Sequence, residues 1–572
     1  MTEAILVFAL AIGLGWPLGR YLAAVMRGEP MRLDRAFSPV ERPLYRLLGT
    51  DPSRGMSWRG YAKAFLLSNL VVGGLVWALF MTQAWLPLNP DAIPNMRWDT
   101  ALHTMVSFLT NTNQQHYSGQ AQLSYLSQMV GIVGLQVITP MIGLALVVAT
   151  LRALMGGRQA MQPGSDAVQA AGSEADVGNY WADLVRPTLR FMLPLCLLWS
   201  VLLTSQGVPA TLQAGPVATP VDASVEMEEQ KIPLGPVAPM VAVKQLGTNG
   251  GGWYGPNSAV PLENPTPLSN LLETLALVLV PVAVAFMVGP FTRRRKFTAL
   301  VLGSMLLMSV LSTGAGILLE GHAAASTATP ALMEGKEVRF GADASALWAT
   351  LTTQTSNGSV NAMHDSLAPL TGLVTLGNML VNAIWGGIGC GLQQFLVYLM
   401  LAVFLAGLMT GRTPELFGRK IEAREVRLLS LLILLQPLVV LGFTAAALAI
   451  PSLTGNSNPG FHGISQVFYE YTSAFANNGS GFEGLGDATT WWNLSCVVVL
   501  ALGRYPALVV PLAIAASLAR KRHAPEGPGS LHIETPTFAL TTIAVIVILT
   551  LLQFMPALVL GPVADHLSLA VR

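Results

Sequence analysis

The sequence predicts an all-α polytopic membrane protein of about ten transmembrane helices. Eight of these group as four pseudo-repeats of helix, polar pore hairpin and helix around one axis. Three observations predict it. The 572 residues are 52% hydrophobic and only 11% charged, with mean hydropathy +0.53, whereas a soluble domain carries roughly 25% charged residues. Stretches free of Asp, Glu, Lys and Arg run from 100 to 151 and from 366 to 411, each longer than the about 20 apolar residues one crossing needs. Finally, four short polar runs lie between long apolar segments: Asn111-Thr112-Asn113, Thr248-Asn249-Gly250, Ser356-Asn357-Gly358 and Asn477-Asn478-Gly479.

Spans are expected near 4–26, 62–82, 124–151, 189–207, 268–289, 297–319, 369–409, 428–450, 491–519 and 538–561. The first begins with Glu3 rather than a basic residue and has its arginines downstream, which reads as a permanent helix and not a signal peptide. The 369–409 segment is too long for one straight crossing and is interrupted at Gly386-Gly387-Ile388-Gly389-Cys390-Gly391. Such a break is tolerated only where protein or water satisfies the freed backbone groups. Basic residues cluster in alternate connections. Nine fall between Arg20 and Lys63, and others at Arg152 to Arg190, Arg293 to Lys296, Arg412 to Arg427 and Arg520 to Arg522. By the positive-inside rule these loops are cytoplasmic, the four polar runs open outward, and both termini are extracytoplasmic. The expected organisation is an N-terminal helix and basic loop (1–60), pore repeats at 61–156, 186–290, 296–410 and 427–519, and a C-terminal helix at 536–562.

The polar runs carry the chemistry. One Asn-Gly cluster is usually a surface turn, but four in equivalent places, spaced 137, 108 and 121 residues apart, point to oxygens gathered round a single column. A ring of carbonyls is how a chain strips water from an alkali cation. A short helix is expected before each run, clearest at 100–110 after Asp99 and at 464–476, with its negative carboxyl end aimed at the cation. The glycines at 250, 358 and 479 permit the positive φ that turns carbonyls inward. Gly250-Gly251-Gly252 lacks the Lys and hydroxyl residue of a phosphate loop.

Other residues leave alternatives open. The glycines at 386–391 serve either close helix packing or an intramembrane loop beneath the runs. Arg504, deep in an apolar stretch, is either a barrier charge facing a wet interior or a snorkelling side chain. His364-Asp365 reads as hydrogen-bonded support for its hairpin. Cys196, Cys390 and Cys496 suit neither a zinc site nor a disulfide framework and read as buried thiols. The loops 208–240 and 320–344, with Asp222, Glu226, Glu228 and Glu229, form either a cation-concentrating cap or a solvated linker. No nucleic-acid signature and no nucleotide loop is present.

The runs Thr110 to Gly119, Leu246 to Gly252, Asn361 to Ser366, Gly411 to Glu415 and Ser473 to Phe482, in that order, resemble the potassium-binding (KdpA) subunits of the Kdp potassium-transporting ATPase, within the K⁺-transporter superfamily. The resemblance runs nearly end to end. It implies a non-hydrolytic, channel-like subunit that binds external K⁺ in a four-repeat filter and passes it through an intramembrane tunnel to the P-type ATPase subunit KdpB. KdpC and KdpF would complete the complex, in a bacterial inner membrane among lipid. It implies further that Gln115 and Gly250 govern affinity and selectivity, and that Arg504 with Gly386, Gly387, Gly389 and Gly391 blocks straight-through conduction. The alternative is a Trk or Ktr type K⁺ channel or ion-coupled transporter subunit.

Overall fold

Long apolar helices dominate the computed structural model, which describes residues 1–31, 34–158, 161, 174–222, 228–326, 333–455, 458–524 and 531–570. Glu226 and parts of the two polar loops fall outside them. Ten helices are long and apolar enough to cross a membrane: Thr2–Arg27, Trp58–Trp85, Ser127–Leu154, Tyr180–Ser205, Pro267–Thr292, Arg295–Gly321, Cys390–Thr410, Ala423–Ala449, Thr490–Ala519 and Pro536–Leu569. They match the expected spans in number and order. The strands among the described residues are two-residue pairs, Val217–Ala218 with Gln230–Lys231 and Glu415–Leu416 with Arg419–Lys420.

Between the spans lie four short half-helices, Trp98–Leu109, Val237–Leu246, Gly341–Gln354 and Gly460–Ala476. Each ends where a polar run begins, so helix, half-helix and helix recur four times. The first half-helix begins two residues before the expected start. Asp99 therefore sits in its first turn rather than capping it, where it takes Arg97 Nε at 2.5 Å and an amide hydrogen of Asn493 at 3.3 Å.

Burial sorts the spans. The most apolar windows of Ser127–Leu154 and Pro267–Thr292 are 89% and 83% buried, against 28% for the first helix and 22% for the last. The former two are therefore central, and the end helices present apolar side chains outward, as lipid requires. The first helix packs lengthwise on Pro267–Thr292 through Gly15 and Gly19. A Cβ at either would meet Val282 or Ala283 and Phe286, the close approach that small residues permit.

Two spans differ from the sequence expectation for physical reasons. The helix expected from 189 starts at Tyr180, because the charges that hid its beginning are neutralised. Asp183 binds Arg152 Nη2 at 2.9 Å, and Arg190 is held by Glu41 and Asp34. The 369–409 segment divides into Pro369–Val381 and Cys390–Thr410. The break is internally satisfied: Asn382 amide donates to the Ala476 carbonyl at 3.2 Å, and the Trp385 and Gly386 N–H groups donate to the Gln354 carbonyl.

Candidate functional site

All four polar runs adopt one backbone shape. The first residue of each is left-handed (Asn111 φ 61°, Thr248 50°, Ser356 51°, Asn477 53°), and so is the third (Asn113 58°, Gly250 90°, Gly358 86°, Gly479 99°). The middle residues Thr112, Asn249, Asn357 and Asn478 are not. Alternating hand turns successive carbonyls to the same side of the chain, which an extended strand cannot do. Each middle N–H donates to a carbonyl five residues back: Thr112 to Ser107, Asn249 to Lys244, Asn357 to Thr352 and Asn478 to Ser473, at 2.9 to 3.1 Å.

The runs also touch in cyclic order. A Cβ placed on Gly250 would strike the Asn357 carbonyl oxygen, one on Gly358 the Asn478 carbonyl oxygen, and one on Gly479 the Thr112 carbonyl oxygen. Asn111 closes the circle, its amide donating to the Thr248 carbonyl at 2.9 Å and its oxygen accepting from Asn249 at 2.6 Å. Side chains of the middle residues reach back in the opposite sense, to the preceding half-helix. Asn357 donates to the Lys244 carbonyl at 3.0 Å and Asn478 to the Thr352 carbonyl at 2.8 Å. Asn477 donates to Thr112 Oγ1 at 3.0 Å. The twelve predicted residues thus form one ring. Gln115 braces it from behind, with its Nε2 donating to the Gly252 carbonyl at 3.0 Å and its Oε1 accepting from the Gly252 N–H at 2.9 Å.

Directly against the ring is a cavity of about 30 Å³ lined by Asn111, Ser356, Asn477, Asn382, Gly386, Gly387, Cys390 and Arg504, among others. It joins the first residue of three runs to the helix break and the buried arginine. Arg504 is 5% exposed, and its guanidinium donates to Cys390 Sγ at 2.7 Å and to the Thr139 carbonyl at 3.3 Å. The two open readings of the glycine segment both hold. Gly386 and Gly387 line the cavity, while a Cβ on Gly386, Gly389 or Gly391 would meet the carbonyl of Asn382, Gly143 or Trp385. Cys390 is a cavity-lining thiol, while Cys196 and Cys496 are buried in the packing. His364 binds Tyr469 Oη at 3.0 Å, and Asp365 binds His462 Nε2 at 3.0 Å, so both tie the third hairpin to the fourth half-helix.

Sequence reasoning missed several charged groups around the ring. Lys244, fully buried at the end of the second half-helix, is neutralised by Glu263 and hydrogen-bonds Ser258 Oγ at 2.8 Å. Glu470 on the fourth half-helix accepts from Gln114 and lies 3.1 Å from His116 Nε2. Glu470 had no local signal, because its partners lie more than 350 residues away.

A family profile described as "KdpA: Potassium-transporting ATPase A subunit" matches residues 5–567. The chain belongs to that family. A potassium-transporting ATPase potassium-binding subunit from Gloeobacter violaceus is 47% identical over 96% of this chain and 95% of its own length. The subunit of the same description from Pseudomonas aeruginosa is 44% identical over 98% of both chains. Among solved structures, the potassium transporter TrkH from Vibrio parahaemolyticus shows a looser likeness, with TM-score 0.49 and 16% identity, covering 89% of this chain and 96% of that one.

Proposed function

We propose that this KdpA-family chain is the K⁺-binding, channel-like subunit of an ATP-driven uptake pump. It takes K⁺ from the extracytoplasmic side, and both its termini lie there. The observation that carries this reading is the closed ring of four runs with alternating backbone hand. Carbonyls of Asn111 to Asn113, Thr248 to Gly250, Ser356 to Gly358 and Asn477 to Gly479 replace the hydration shell, and oxygen number and field strength discriminate among cations. Each run is preceded by a half-helix whose carboxyl end faces the column, which adds four negative dipole ends around the ion. The repeats take residues 61–156, 186–290, 296–410 and 427–519, flanked by 1–60 and 536–562.

A pump must hold its ion without letting it run downhill. The cavity beneath the ring has Arg504 on its wall, and a fixed positive charge there opposes straight passage toward the cytoplasm. Gly386 and Gly387 narrow the same path. The ion therefore leaves sideways, through an intramembrane tunnel to the P-type ATPase subunit KdpB, with KdpC and KdpF completing an inner-membrane complex. ATP is bound and hydrolysed by the partner; this chain supplies selectivity.

Replacing Gly250 with Asp tests the filter. The new side chain must displace the Asn357 carbonyl and adds a charge inside the ring. In K⁺-stimulated ATP hydrolysis by the assembled complex, the apparent K⁺ constant should rise at least about tenfold, since one lost charge-assisted contact is worth about 1.5 kcal/mol or more, and Rb⁺ or NH₄⁺ should begin to stimulate. An unchanged constant and unchanged ion preference would refute the assignment.

A further inference from the structure

Run one is the sole run of the four whose third position is not glycine, and behind it lies a buried network tying it to the fourth half-helix. Gln114, the next residue, donates to Glu470 Oε1, and its own carbonyl accepts from Ser107 Oγ at 2.8 Å. His116 is 3.1 Å from the same carboxylate oxygen through Nε2, and 2.9 Å from Asn493 Oδ1 through Nδ1. The orientation of Asn493 is fixed, because its amide nitrogen faces the Asp99 carboxylate, which only accepts, at 3.3 Å. His116 Nδ1 therefore carries a hydrogen. Its Nε2 faces a carboxylate and carries one as well, so the ring is an imidazolium paired with Glu470. Directly behind the runs the other joints carry neutral pairs, Gln115 with Gly252, Ser359 with Gln245 at 2.9 Å and His364 with Tyr469, while the charged His462 and Asp365 pair joins the third hairpin to the start of the fourth half-helix.

Resting on the filter reading above, we propose that Glu470 and His116 set the K⁺ affinity of the ring and make it depend on external pH, with Glu470 as the positioning residue. With His116 protonated the pair is neutral. When His116 loses its proton, an uncompensated carboxylate remains behind the outer carbonyls, at low permittivity, and attracts the cation. Affinity therefore rises with pH. By linkage, bound K⁺ makes the proton easier to lose.

The other groups facing this imidazole act on its titration without replacing the pair. His103 on the first half-helix stacks on it at 3.7 Å and 12°. Asp487 in the loop before the last span of the fourth repeat and Cys496 on that span face it, and Asp99 acts through Asn493. Burial alone would push the His116 imidazole down, but Asp487, Cys496 and Glu470 outweigh it and hold it above the usual value. The response accordingly belongs above neutral pH.

The test is the apparent K⁺ constant of ATP hydrolysis by the complex, from about pH 6 to about pH 9.5. A unit charge appearing within about 10 Å of the ion, at an effective permittivity of about 20, should tighten the native constant on the order of tenfold across that range. The slope should vanish in His116→Asn, which removes the titrating group, and move to lower pH in Glu470→Gln, where the imidazole keeps Asp487 but loses one of the carboxylates that hold its proton. It should vanish equally in the double variant, which leaves neither charge buried alone. A native constant that ignores pH, or variants that shift the constant equally at every pH, would overturn the proposal. Hydrolysis insensitive to K⁺ altogether would overturn the filter reading, and this one with it.

Discussion

Gly358 has φ +86°, and a Cβ there would run into the Asn478 carbonyl, whereas Gly377 in Pro369–Val381 has nothing within 4 Å of that position. The same substitution should therefore act in opposite directions. Gly358→Ala pays a left-handed penalty of about 1–2 kcal/mol and displaces a ring carbonyl, so thermal stability should fall and the K⁺ constant rise. Gly377→Ala should be neutral or stabilising by up to about 1 kcal/mol, the gain in helix propensity. Melting of the two variants in parallel checks the pair; equal shifts would show that the ring is not tight at Gly358. Glycines 250, 358 and 479 were legible in the sequence because glycine advertises positive φ. Thr248 and Ser356 were legible as members of the runs, but their left-handed backbone was not. A β-branched residue such as Thr248 disfavours that region, and only its position between Lys244 and Asn111, whose groups bind its neighbour and its carbonyl, holds it there.

At the scale of the element, the fourth half-helix is pinned near its start. His462 lies 3.0 Å from Asp365 of the third repeat and 2.8 Å from Asp565 of the terminal helix. Hydrogen bonds from these two carboxylates hold its imidazole up at about 9. A folded value above the unfolded one of about 6.5 means the clip stabilises fully below that unfolded value and is lost as pH rises through about 9. Thermal stability should thus decline between those limits, and His462→Gln should flatten the decline; a variant with the native pH profile would exclude the clip. Span positions were legible from apolar length because lipid leaves little choice of element. The early start at Tyr180 was not, since Asp183 and Arg190 look like a loop until their partners Arg152, Asp34 and Glu41 are folded against them. The break near 386 was visible as glycines, but its division into cavity wall and packing surface depends on Gly143 in Ser127–Leu154, which no local pattern connects to it.

Across the whole molecule, each run is completed by its neighbour: the second rests on the third, the third on the fourth, the fourth on the first. No single repeat holds the site, and the Gln114 to Glu470 contact joins residues 356 apart, which is why repetition was readable in the sequence while closure was not. On the filter reading, a cation at the centre binds this closed arrangement and not an opened one, and so would stabilise the fold by mass action, by about 2.7 kcal/mol when its concentration is about 100 times its dissociation constant. The detergent-solubilised complex should melt at higher temperature in K⁺ than in Na⁺ at equal ionic strength, with the shift growing as the logarithm of K⁺ concentration. Gly250→Asp should abolish the difference, because it breaks the ring at the second joint. Arg504→Gln should keep it, since the cavity lies beneath the ring, while allowing K⁺ to leak through reconstituted vesicles without ATP. A melting shift identical in K⁺ and Na⁺, or lost in Arg504→Gln but kept in Gly250→Asp, would place the ion somewhere other than the ring.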